Sequence, residues 1–195
     1  MPTPKSVKRC PWAEGHPLLA EYHDDEWGVP IHDDRKWFEK LTLDGAQAGL
    51  SWLTILKKRD AYREAFHDFD VERCAKLTAR DEAKLMRNPG IVRNKLKVAS
   101  VPKNARAFQQ IQAEHGSFDT FIWRFVDGKP VQSKLRSHAS IIATSPLSDA
   151  VSKDLKKRGF TFVGSTIVYA FLQAAGVIND HITSCHRYDT VRKLR

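Results

Sequence analysis

The chain has 195 residues, with 32 Lys and Arg against 23 Asp and Glu, which gives a formal net charge of +9. This length suffices for one large or two small domains with a well-formed core. A hydrophobic content of 42% and five Trp exclude a disordered tail protein. The positive charge favours a polyanionic partner, nucleic acid before a membrane surface, over the alternative of a protein that is merely basic.

Several protein classes are excluded because their sequence signals are missing. No apolar stretch approaches the roughly 18 residues that a membrane span needs, and the basic residues 1–12 are not followed by the apolar run of a secretory signal. Three Cys, an odd number, argue against a disulfide framework. Nucleotide-binding loops and the HExxH and GxSxG motifs are also missing. We therefore expect a cytoplasmic protein with no membrane partner.

Helical periodicity and helix caps dominate the chain, whereas strand signals are nearly absent. Residues 1–9 are predicted to be a flexible basic segment, and residues 131–146 an irregular surface connection. Helices are predicted over residues 17–26, 33–41, 51–66, 71–77, 79–87, 92–115 (with a kink at Pro102), 117–126, 148–158 and 167–175, with a final helical turn at 179–185. No linker or internal repeat divides the chain, so the sequence predicts one all-α domain.

Residues 43–52 (LDGAQAGLSW) join two predicted helices and place a carboxylate near an indole. Asp44 lies near the end of the first helix, and Trp52 lies on the first turn of the second. A ring face and a carboxylate together suit a pocket for a flat cationic group. The alternative is a helix–turn–helix corner in which Trp52 belongs to the core and Asp44 is a cap.

Residues 88–91 (NPGI) interrupt the helical pattern with a Pro-Gly turn. The turn and its flanking helices resemble a helix-hairpin-helix, in which backbone amides bind a phosphate oxygen. Gly90, Arg93, Lys95 and Lys97 are accordingly candidates for binding the DNA backbone. Pro-Gly turns between helices are also common in proteins without that function.

Two Cys/His pairs lie at opposite ends of the chain. His181 and Cys185 are four residues apart and would point the same way on a helix, and Cys10 and His23 form the second pair. A Cys2His2 set suits a closed, tetrahedral, structural Zn²⁺ site that would join the two termini. A Cys10–Cys185 disulfide, or unrelated residues with exposed histidines, are the alternatives. The rival histidine ligands are His16 and His186.

Taken together, these residues resemble the bacterial DNA-3-methyladenine glycosylase I family along nearly the whole chain. A chance match to all of its sequence blocks in order is not credible. The most specific blocks are residues 9–12 (RCPW), 22–30 (YHDDEWGVP), 47–52 (QAGLSW), 56–59 (LKKR), 156–160 (KKRGF), 162–164 (FVG) and 179–181 (NDH).

The resemblance implies an all-α fold of the helix-hairpin-helix glycosylase superfamily, with a structural Zn²⁺ joining the termini. Cys10, His23, His181 and Cys185 fall on the ligand positions of that family. The implied activity is hydrolytic excision of 3-methyladenine from alkylated double-stranded DNA, which releases the free base without cutting the strand.

The resemblance also sets the expected domain organisation. We expect a single glycosylase domain over residues 10–187, with the helix-hairpin-helix at about residues 79–115. Zinc ligands come from residues 10–23 and 181–185, and residues 188–195 form a basic C-terminal tail. We expect a monomer.

Trp12, Tyr22 and Trp52 fall on base-pocket positions of the family, and Asp44 falls on its pocket carboxylate, which is usually Glu. The shorter Asp side chain ends about an ångström short of the position that Glu would reach, a gap that a small backbone shift or a bridging water would close. The alternative functions are a damage-binding relative with weakened excision and a relative with shifted specificity, for example for 3-methylguanine.

Further DNA contacts are hypotheses that rest on this resemblance. Gly49 and Leu50 would fill the space that a flipped base leaves in the stack. Lys157, Ser165 and Thr166 would bind phosphates elsewhere on the duplex. A lysine nucleophile is not evident, so we expect a monofunctional hydrolase without lyase activity. A zinc-stabilised scaffold that binds DNA without lesion preference is the remaining alternative.

Overall fold

The computed structural model describes residues 7–194 and is mostly helical. Within these residues, two-residue strands β1 (Val131–Gln132) and β2 (Ile178–Asn179) form one parallel pair. Short 3-10 helices lie at Pro11–Ala13, His67–Phe69, Arg124–Val126 and His138–Ser140. The α-helices are α1 Pro17–Asp25, α2 Asp34–Gln47, α3 Trp52–Leu56, α4 Arg59–Ala65, α5 Val71–Ala75, α6 Ala79–Leu85, α7 Lys95–His115, α8 Phe118–Trp123, α9 Pro146–Lys157, α10 Ser165–Ala174 and α11 Tyr188–Val191.

Side-chain caps begin several helices where the sequence predicts them. Asp33 Oδ1 accepts from the backbone N–H of Lys36 at 2.9 Å, and Asp70 does the same at the start of α5. Thr78 begins α6 in a capping box with Asp81. Each such cap satisfies backbone amides that the first turn leaves without a helical partner, which contributes about 1 kcal/mol. The helix α7 runs through Pro102.

Several predicted helix boundaries are wrong. Helix α2 runs to Gln47, six residues past its predicted end at residue 41, and α7 begins at Lys95, three residues after its predicted start. Residues 51–66 form two helices, α3 and α4, because Leu56 packs on a different hydrophobic cluster from that of Tyr62 and Phe66. The helix α9 begins after Ser145, three residues before the predicted cap. Ser145 and Ser148 form a capping box, and Pro146 occupies the first helical turn, where a missing N–H has no cost.

The C-terminal part of the chain also differs from the prediction. The segment that carries His181 and Cys185 is not helical. Asn179 and Asp180 anchor the start of this segment: Asn179 Nδ2 donates to Gln132 Oε1 at 2.9 Å, and Asp180 Oδ2 accepts from α10. Cys185 lies in a turn, where its backbone N–H donates to Ile182 O at 2.8 Å.

Both predicted terminal segments are partly folded. Residues 188–195 are not wholly a tail, because α11 buries Tyr188 and Val191. At the other end, residues 1–6 lie outside the described residues, whereas Arg9 pairs with Asp24 at 2.6 Å. Tertiary contacts therefore order residues at both ends of the domain that the sequence pattern assigns to tails, because local periodicity does not report such contacts.

Two adjoining hydrophobic clusters form the core. The larger cluster contains the stacked pair Phe108–Phe118, whose ring centroids are 4.1 Å apart, together with the fully buried Trp37 and Phe38 of α2. The smaller cluster contains Cys10, Tyr22, Trp27, Ala174, Ile182 and Cys185. Trp52 packs against both clusters, so α2, α3 and α10 meet where the two adjoin. Within residues 7–194, the helices are too short or too polar to cross a membrane.

Candidate functional site

A cavity of about 270 Å³ lies where the two hydrophobic clusters adjoin. The four residues that the sequence assigns to a base pocket (Trp12, Tyr22, Asp44 and Trp52) all line it. A mostly aromatic wall with a few polar groups is typical of a site for a flat organic ligand. The full lining consists of Trp12, Tyr22, Trp27, Asp44, Gln47, Trp52, His138, Ile141, Ala170, Gln173 and Ala174.

Aromatic rings from three segments of the chain pack against one another along one side of the cavity, Trp12 and Trp27 edge to face and the other two pairs tilted. The ring centroids of Tyr22 and Trp52 are 5.1 Å apart, and those of Trp12 and Trp27 are also 5.1 Å apart. Trp12 and Tyr22 connect the two pairs at 6.3 Å. Because each ring is held by its neighbours, the wall is rigid before any ligand arrives.

Asp44 lies in the last turn of α2 with 4% of its surface exposed. Within residues 7–194, its Oδ2 has no hydrogen-bond partner, and neither has the buried Nε1 of Trp52. We call Asp44 Oδ2 and Trp52 Nε1 the two open polar atoms of the pocket. Burial raises the pKa of Asp44 to about 7, although the nearby Lys40 charge opposes this shift. The residues that line the pocket therefore include one buried acceptor and one buried donor without partners in the described part of the chain, and the acceptor titrates near neutral pH.

A buried ion-pair network lies behind the pocket wall. Lys40 Nζ is 3.3 Å from Glu26 Oε2, and Arg59 Nη1 is 2.5 Å from Glu26 Oε1. The same ammonium lies 4.7 Å from the centroid of the Tyr22 ring, at cation–π distance. None of the sequence motifs indicated this network. The spacing of Lys40 and Asp44, four residues apart on α2, was the available signal.

A second buried network positions α10 against the pocket. Gln173, which lines the cavity, donates to Asp180 Oδ2 at 2.6 Å, and the Tyr169 hydroxyl donates to the same oxygen at 2.7 Å. Gln173 and Tyr169 are four residues apart and therefore share a face of α10. Their spacing alone does not pair them with Asp180. His138, another lining residue that sequence reasoning missed, comes from the 131–146 connection.

The structure brings together three of the four predicted metal ligands. The ligand atoms of Cys10, His23 and Cys185 all lie within 4.8 Å of one another, and all three residues are buried. Asp24 Oδ1 lies 2.8 Å from His23 Nδ1, which turns His23 Nε2 towards the cysteines. The hydrogen bond between the two sulfurs lowers the pKa of Cys185 and raises that of Cys10. This trio is a possible metal-binding group.

His181 adjoins the trio, with its ring centroid 5.0 Å from that of His23. Its Nδ1 is 3.0 Å from Asn179 Oδ1, and among the described residues its buried Nε2 has no partner. Burial lowers the pKa of His181 to about 3, which keeps the imidazole neutral. Gly28 is required beside this ring, because its φ is +80° and an added Cβ would lie 2.7 Å from His181 Cε1.

The structure also bears on the alternatives, which were a disulfide and the rival ligands His16 and His186. The three cysteines are all within the described residues and are free thiols. His16 is occupied at the start of α1, where its Nδ1 accepts from the N–H of Leu18. His186 lies close to the trio, with Nε2 2.9 Å from Asp24 Oδ1, and forms a second possible group with His23 and Asp24.

Of the groups predicted to bind phosphate in the hairpin between α6 and α7, only some are accessible. The Gly90 N–H donates to Asn88 Oδ1 at 2.8 Å, so this amide is engaged within the turn. Arg93 and Lys95 are exposed at the start of α7. Lys97, by contrast, is buried with 9% of its surface exposed and points away from solvent, so the prediction that it binds phosphate is wrong.

The remaining predicted DNA contacts lie on the surface at two places. Gly49 has a φ of +77°, a left-handed conformation that favours glycine, and it presents Leu50 with 41% of its surface exposed. Lys157 ends α9 and is exposed. Ser165 and Thr166 begin α10, where Ser165 Oγ donates to Asp149. The helix α10 thus presents its N-terminus to the surface and its later turns to the pocket.

Comparison with known proteins places this architecture in a family. The model of the methyladenine glycosylase family matches residues 12–188. The DNA-3-methyladenine glycosylase of Haemophilus influenzae is 46% identical over 91% of this chain and 96% of its own length. The DNA-3-methyladenine glycosylase 1 of Escherichia coli is 44% identical over 93% of this chain and 97% of its own.

The fold of this chain is also similar to that of a solved glycosylase structure. The 3-methyladenine DNA glycosylase I of Staphylococcus aureus, whose structure describes recognition of 3-methyladenine, superposes with a TM-score of 0.90 at 39% identity. The superposition covers 92% of this chain and 96% of that protein. The sequence blocks, the fold and the aromatic pocket with its buried carboxylate agree, and the chain belongs to the methyladenine glycosylase family.

Proposed function

We propose that this protein excises 3-methyladenine from alkylated double-stranded DNA as a monofunctional glycosylase. The observation that carries the proposal is the rigid aromatic cavity with its two open polar atoms, Asp44 Oδ2 and Trp52 Nε1. The named activities of the Haemophilus influenzae and Escherichia coli relatives support the substrate.

The lesion is flat and carries a positive charge, and the pocket complements both properties. Trp12 and Tyr22 provide ring faces for the flipped base, which favour a cationic ring over a neutral one. Adenine bears an exocyclic amine that donates and a ring nitrogen that accepts. The amine would donate to Asp44 Oδ2, and the ring nitrogen would accept from Trp52 Nε1. This pairing satisfies both open polar atoms, whose burial without partners is otherwise costly.

The reaction needs little acid catalysis because the leaving group is already charged. As the N-glycosidic bond breaks, its electron pair neutralises the methylated base, which leaves as free 3-methyladenine. A water oxygen forms the new bond to the sugar C1′ and loses its proton to solvent. The ionised Asp44 would hold the flipped base and stabilise the positive charge as it passes from the base to the sugar during cleavage. A lysine nucleophile is not part of this scheme, so the strand stays intact.

DNA contacts are proposed at the surface around the pocket. Leu50, held out by the left-handed Gly49, would fill the gap that the flipped base leaves. Arg93 and Lys95 would bind backbone phosphates, and the start of α10 with Lys157 would bind others. The net charge of +9 supports binding to a polyanion. Because the substrate is DNA, we expect a cytoplasmic location, and we propose that the protein acts as a monomer.

We further propose that Cys10, His23, His181 and Cys185 hold a structural Zn²⁺. Two sulfur and two imidazole donors are the chemistry that Zn²⁺ prefers in closed sites. The residues fit such an ion, because three donors already converge and the buried His181 Nε2 beside them has no partner within residues 7–194. Zinc would link the two termini, and the neighbouring Trp12 and Tyr22 would be fixed by it.

The test is chromatographic analysis of the bases released from methylated duplex DNA. Release of 3-methyladenine with 7-methylguanine left in place, and without nicks before heat or alkali, is the expected result. Asp44→Asn should lower the single-turnover rate by at least about tenfold, or about 1.4 kcal/mol, whereas Glu64→Gln on the exposed face of α4 should not. Nicks formed by the protein alone would contradict the monofunctional assignment.

The alternative functions give different products in the same assay. Tight binding of alkylated duplex without release of any base would indicate a damage-binding protein. Release of 3-methylguanine in preference to 3-methyladenine would indicate shifted specificity. Equal affinity for alkylated and intact duplex, again without release, would indicate a scaffold. Asp44→Glu restores the usual family carboxylate and tests whether the shorter side chain limits the rate.

A further inference from the structure

Lys97 has an unusual environment for a lysine in a basic hairpin. It lies in the first turn of α7 beside Leu96, which is 71% exposed, yet Lys97 itself is 9% exposed. Asn94 Oδ1 caps the same turn by accepting from the N–H groups of Leu96 and Lys97. The backbone around Lys97 therefore belongs to the DNA-facing surface, while its side chain passes into the protein.

The Lys97 ammonium ends on two backbone carbonyls. Lys97 Nζ donates to Ala46 O at 2.8 Å and to Ala48 O at 2.6 Å. Both carbonyls lie at the C-terminal end of α2, where the last turn leaves C=O groups without helical partners and the helix dipole is negative. Among the described residues, no carboxylate lies within ion-pair distance of this ammonium. Within residues 7–194, the ammonium is therefore bound only by backbone carbonyls of the short segment 46–48.

That segment carries two functional elements. Ala46 follows Asp44 by two residues in the last turn of α2, and Ala48 directly precedes Gly49 and Leu50. The ammonium therefore fixes the end of the pocket helix and the start of the exposed Leu50 turn at the same time. On the other side, α7 begins with the exposed Lys95. Lys97 is the side chain that hydrogen-bonds one region to the other.

We propose that Lys97 is a positioning residue that couples phosphate binding at the start of α7 to the placement of Leu50. The inference rests on the proposed function, in which Leu50 fills the space of the flipped base. Phosphate contacts at Lys95 hold α7 against the duplex. The two hydrogen bonds of Lys97 hold the turn that contains Leu50 in a fixed position relative to α7. Without them, the backbone could rotate at Gly49 and Leu50 would no longer have one defined position.

Positioning for extrusion and general stabilisation predict different substrate dependence. A residue that helps to extrude the base matters when the lesion is stacked in a duplex, and matters much less when the base is already unpaired. A residue that only stabilises the fold lowers excision from both substrates equally. The comparison of duplex and single-stranded lesions therefore separates the two roles.

The experiment measures single-turnover release of 3-methyladenine by Lys97→Met from a duplex and from a single strand that carry the same lesion. We expect the duplex rate to fall by at least about tenfold, as small misplacements of reacting groups commonly cost, and the single-strand rate to fall by less than about threefold. Lys103→Met, an exposed lysine on the same helix, is the matched control and should leave both rates unchanged.

Binding of free 3-methyladenine, measured by quenching of the pocket tryptophans, tests whether each variant keeps a folded pocket. If Lys97→Met loses this binding, Lys97→Gln, which keeps an amide donor, is used in the same comparison. Equal loss of rate on both DNA substrates, no loss on either, or loss of free-base binding in both variants would each overturn the proposal. Failure of the wild-type protein to release base from either substrate would instead refute the proposed function.

Discussion

Lys40 and Asp44 lie one helical turn apart on α2, yet the Lys40 ammonium pairs with Glu26 at 3.3 Å and leaves Asp44 Oδ2 open to the pocket. The charge of Lys40 thus acts on Asp44 through space without occupying its hydrogen-bonding position. Tyr22 faces both groups, Arg59 shares Glu26 with Lys40, and His138 lines the same cavity. This arrangement leaves a carboxylate that titrates near neutral pH and is free to bind a ligand.

The pH dependence of excision should report this carboxylate. Burial raises the pKa of Asp44 to about 7, and the ionised form binds a cationic base better. We expect kcat/KM to rise with pH between about 6 and 8 and to lose this limb in Asp44→Asn. Lys40→Met should move the limb to higher pH, because Lys40 lowers the pKa of Asp44. An unchanged limb in Asp44→Asn would assign it to another group.

Asp44 should also cost stability above neutral pH. Its pKa is about 7 in the folded state against an ordinary value of 3.8, so the folded state binds the proton more tightly. The stability that this group contributes is present below about pH 4 and is lost as the pH rises through about 7. Urea unfolding should therefore show Asp44→Asn gaining stability over wild type with rising pH, by at most about 4 kcal/mol at pH 8. A pH-independent difference would contradict this prediction.

Metal content and thermal stability should depend on the Cys/His cluster. We expect about one zinc per chain by elemental analysis. Cys10→Ser and Cys185→Ser should lose it, and their melting temperatures should fall by at least about 10 °C. His186→Gln is the matched control, because His186 also contacts Asp24 beside the trio. Zinc kept by His181→Gln and lost by His186→Gln would make His186 the fourth ligand.

Leu50 should affect extrusion and leave base binding intact. Leu50→Ala removes the apolar side chain that is proposed to fill the gap in the stack. Single-turnover excision from duplex DNA should fall by about tenfold, while affinity for free 3-methyladenine stays within about twofold. Leu18→Ala provides the control, since Leu18 is also an exposed apolar residue, on α1. Loss of free-base binding in Leu50→Ala would show that Leu50 shapes the pocket itself.

The salt dependence of DNA binding should reveal the phosphate contacts at the start of α7. Arg93→Gln with Lys95→Gln removes two exposed cations. The slope of log affinity against log salt should become shallower by about 2, because each phosphate contact contributes about 0.9. The loss should be the same for alkylated and intact duplex. An unchanged slope would place the phosphate contacts elsewhere, for example at Lys157.

The elements that local chemistry specifies could be predicted from sequence. The caps at Asp33, Asp70 and Thr78 begin helices because each side chain accepts from an amide only three residues ahead. The sequence blocks that carry the family resemblance also placed Trp12, Tyr22 and Trp52 in one pocket, and all three line the cavity, whereas Trp27 was missed. The helical fold and the family are confirmed, whereas the roles of the individual site residues remain predictions.

Long-range partners could not be predicted in the same way. Periodicity places Lys97 on the first turn of α7, but the direction of its flexible side chain depends on carbonyls about 50 residues away in sequence. The Asp180 network could not be predicted for the same reason, because Gln173 and Tyr169 reach Asp180 only once α10 packs against the segment that carries it. The helix predicted for His181 and Cys185 is absent: a non-helical segment with a turn at Cys185 brings Cys185 to Cys10 and His23 and leaves His181 beside them.

The link between His23 and Cys185, 162 residues apart, has a consequence for synthesis of the protein. Trp12 and Tyr22 are near neighbours of Cys10 and His23, so the aromatic wall is ordered together with the cluster. The C-terminal partner, Cys185, leaves the ribosome last, since chains are made from the N-terminus at about 5–20 residues per second. A chain that has emerged only as far as Ile178 would hold the residues of the large core without a finished base pocket. Lesion recognition would therefore require that the chain has emerged at least as far as Cys185.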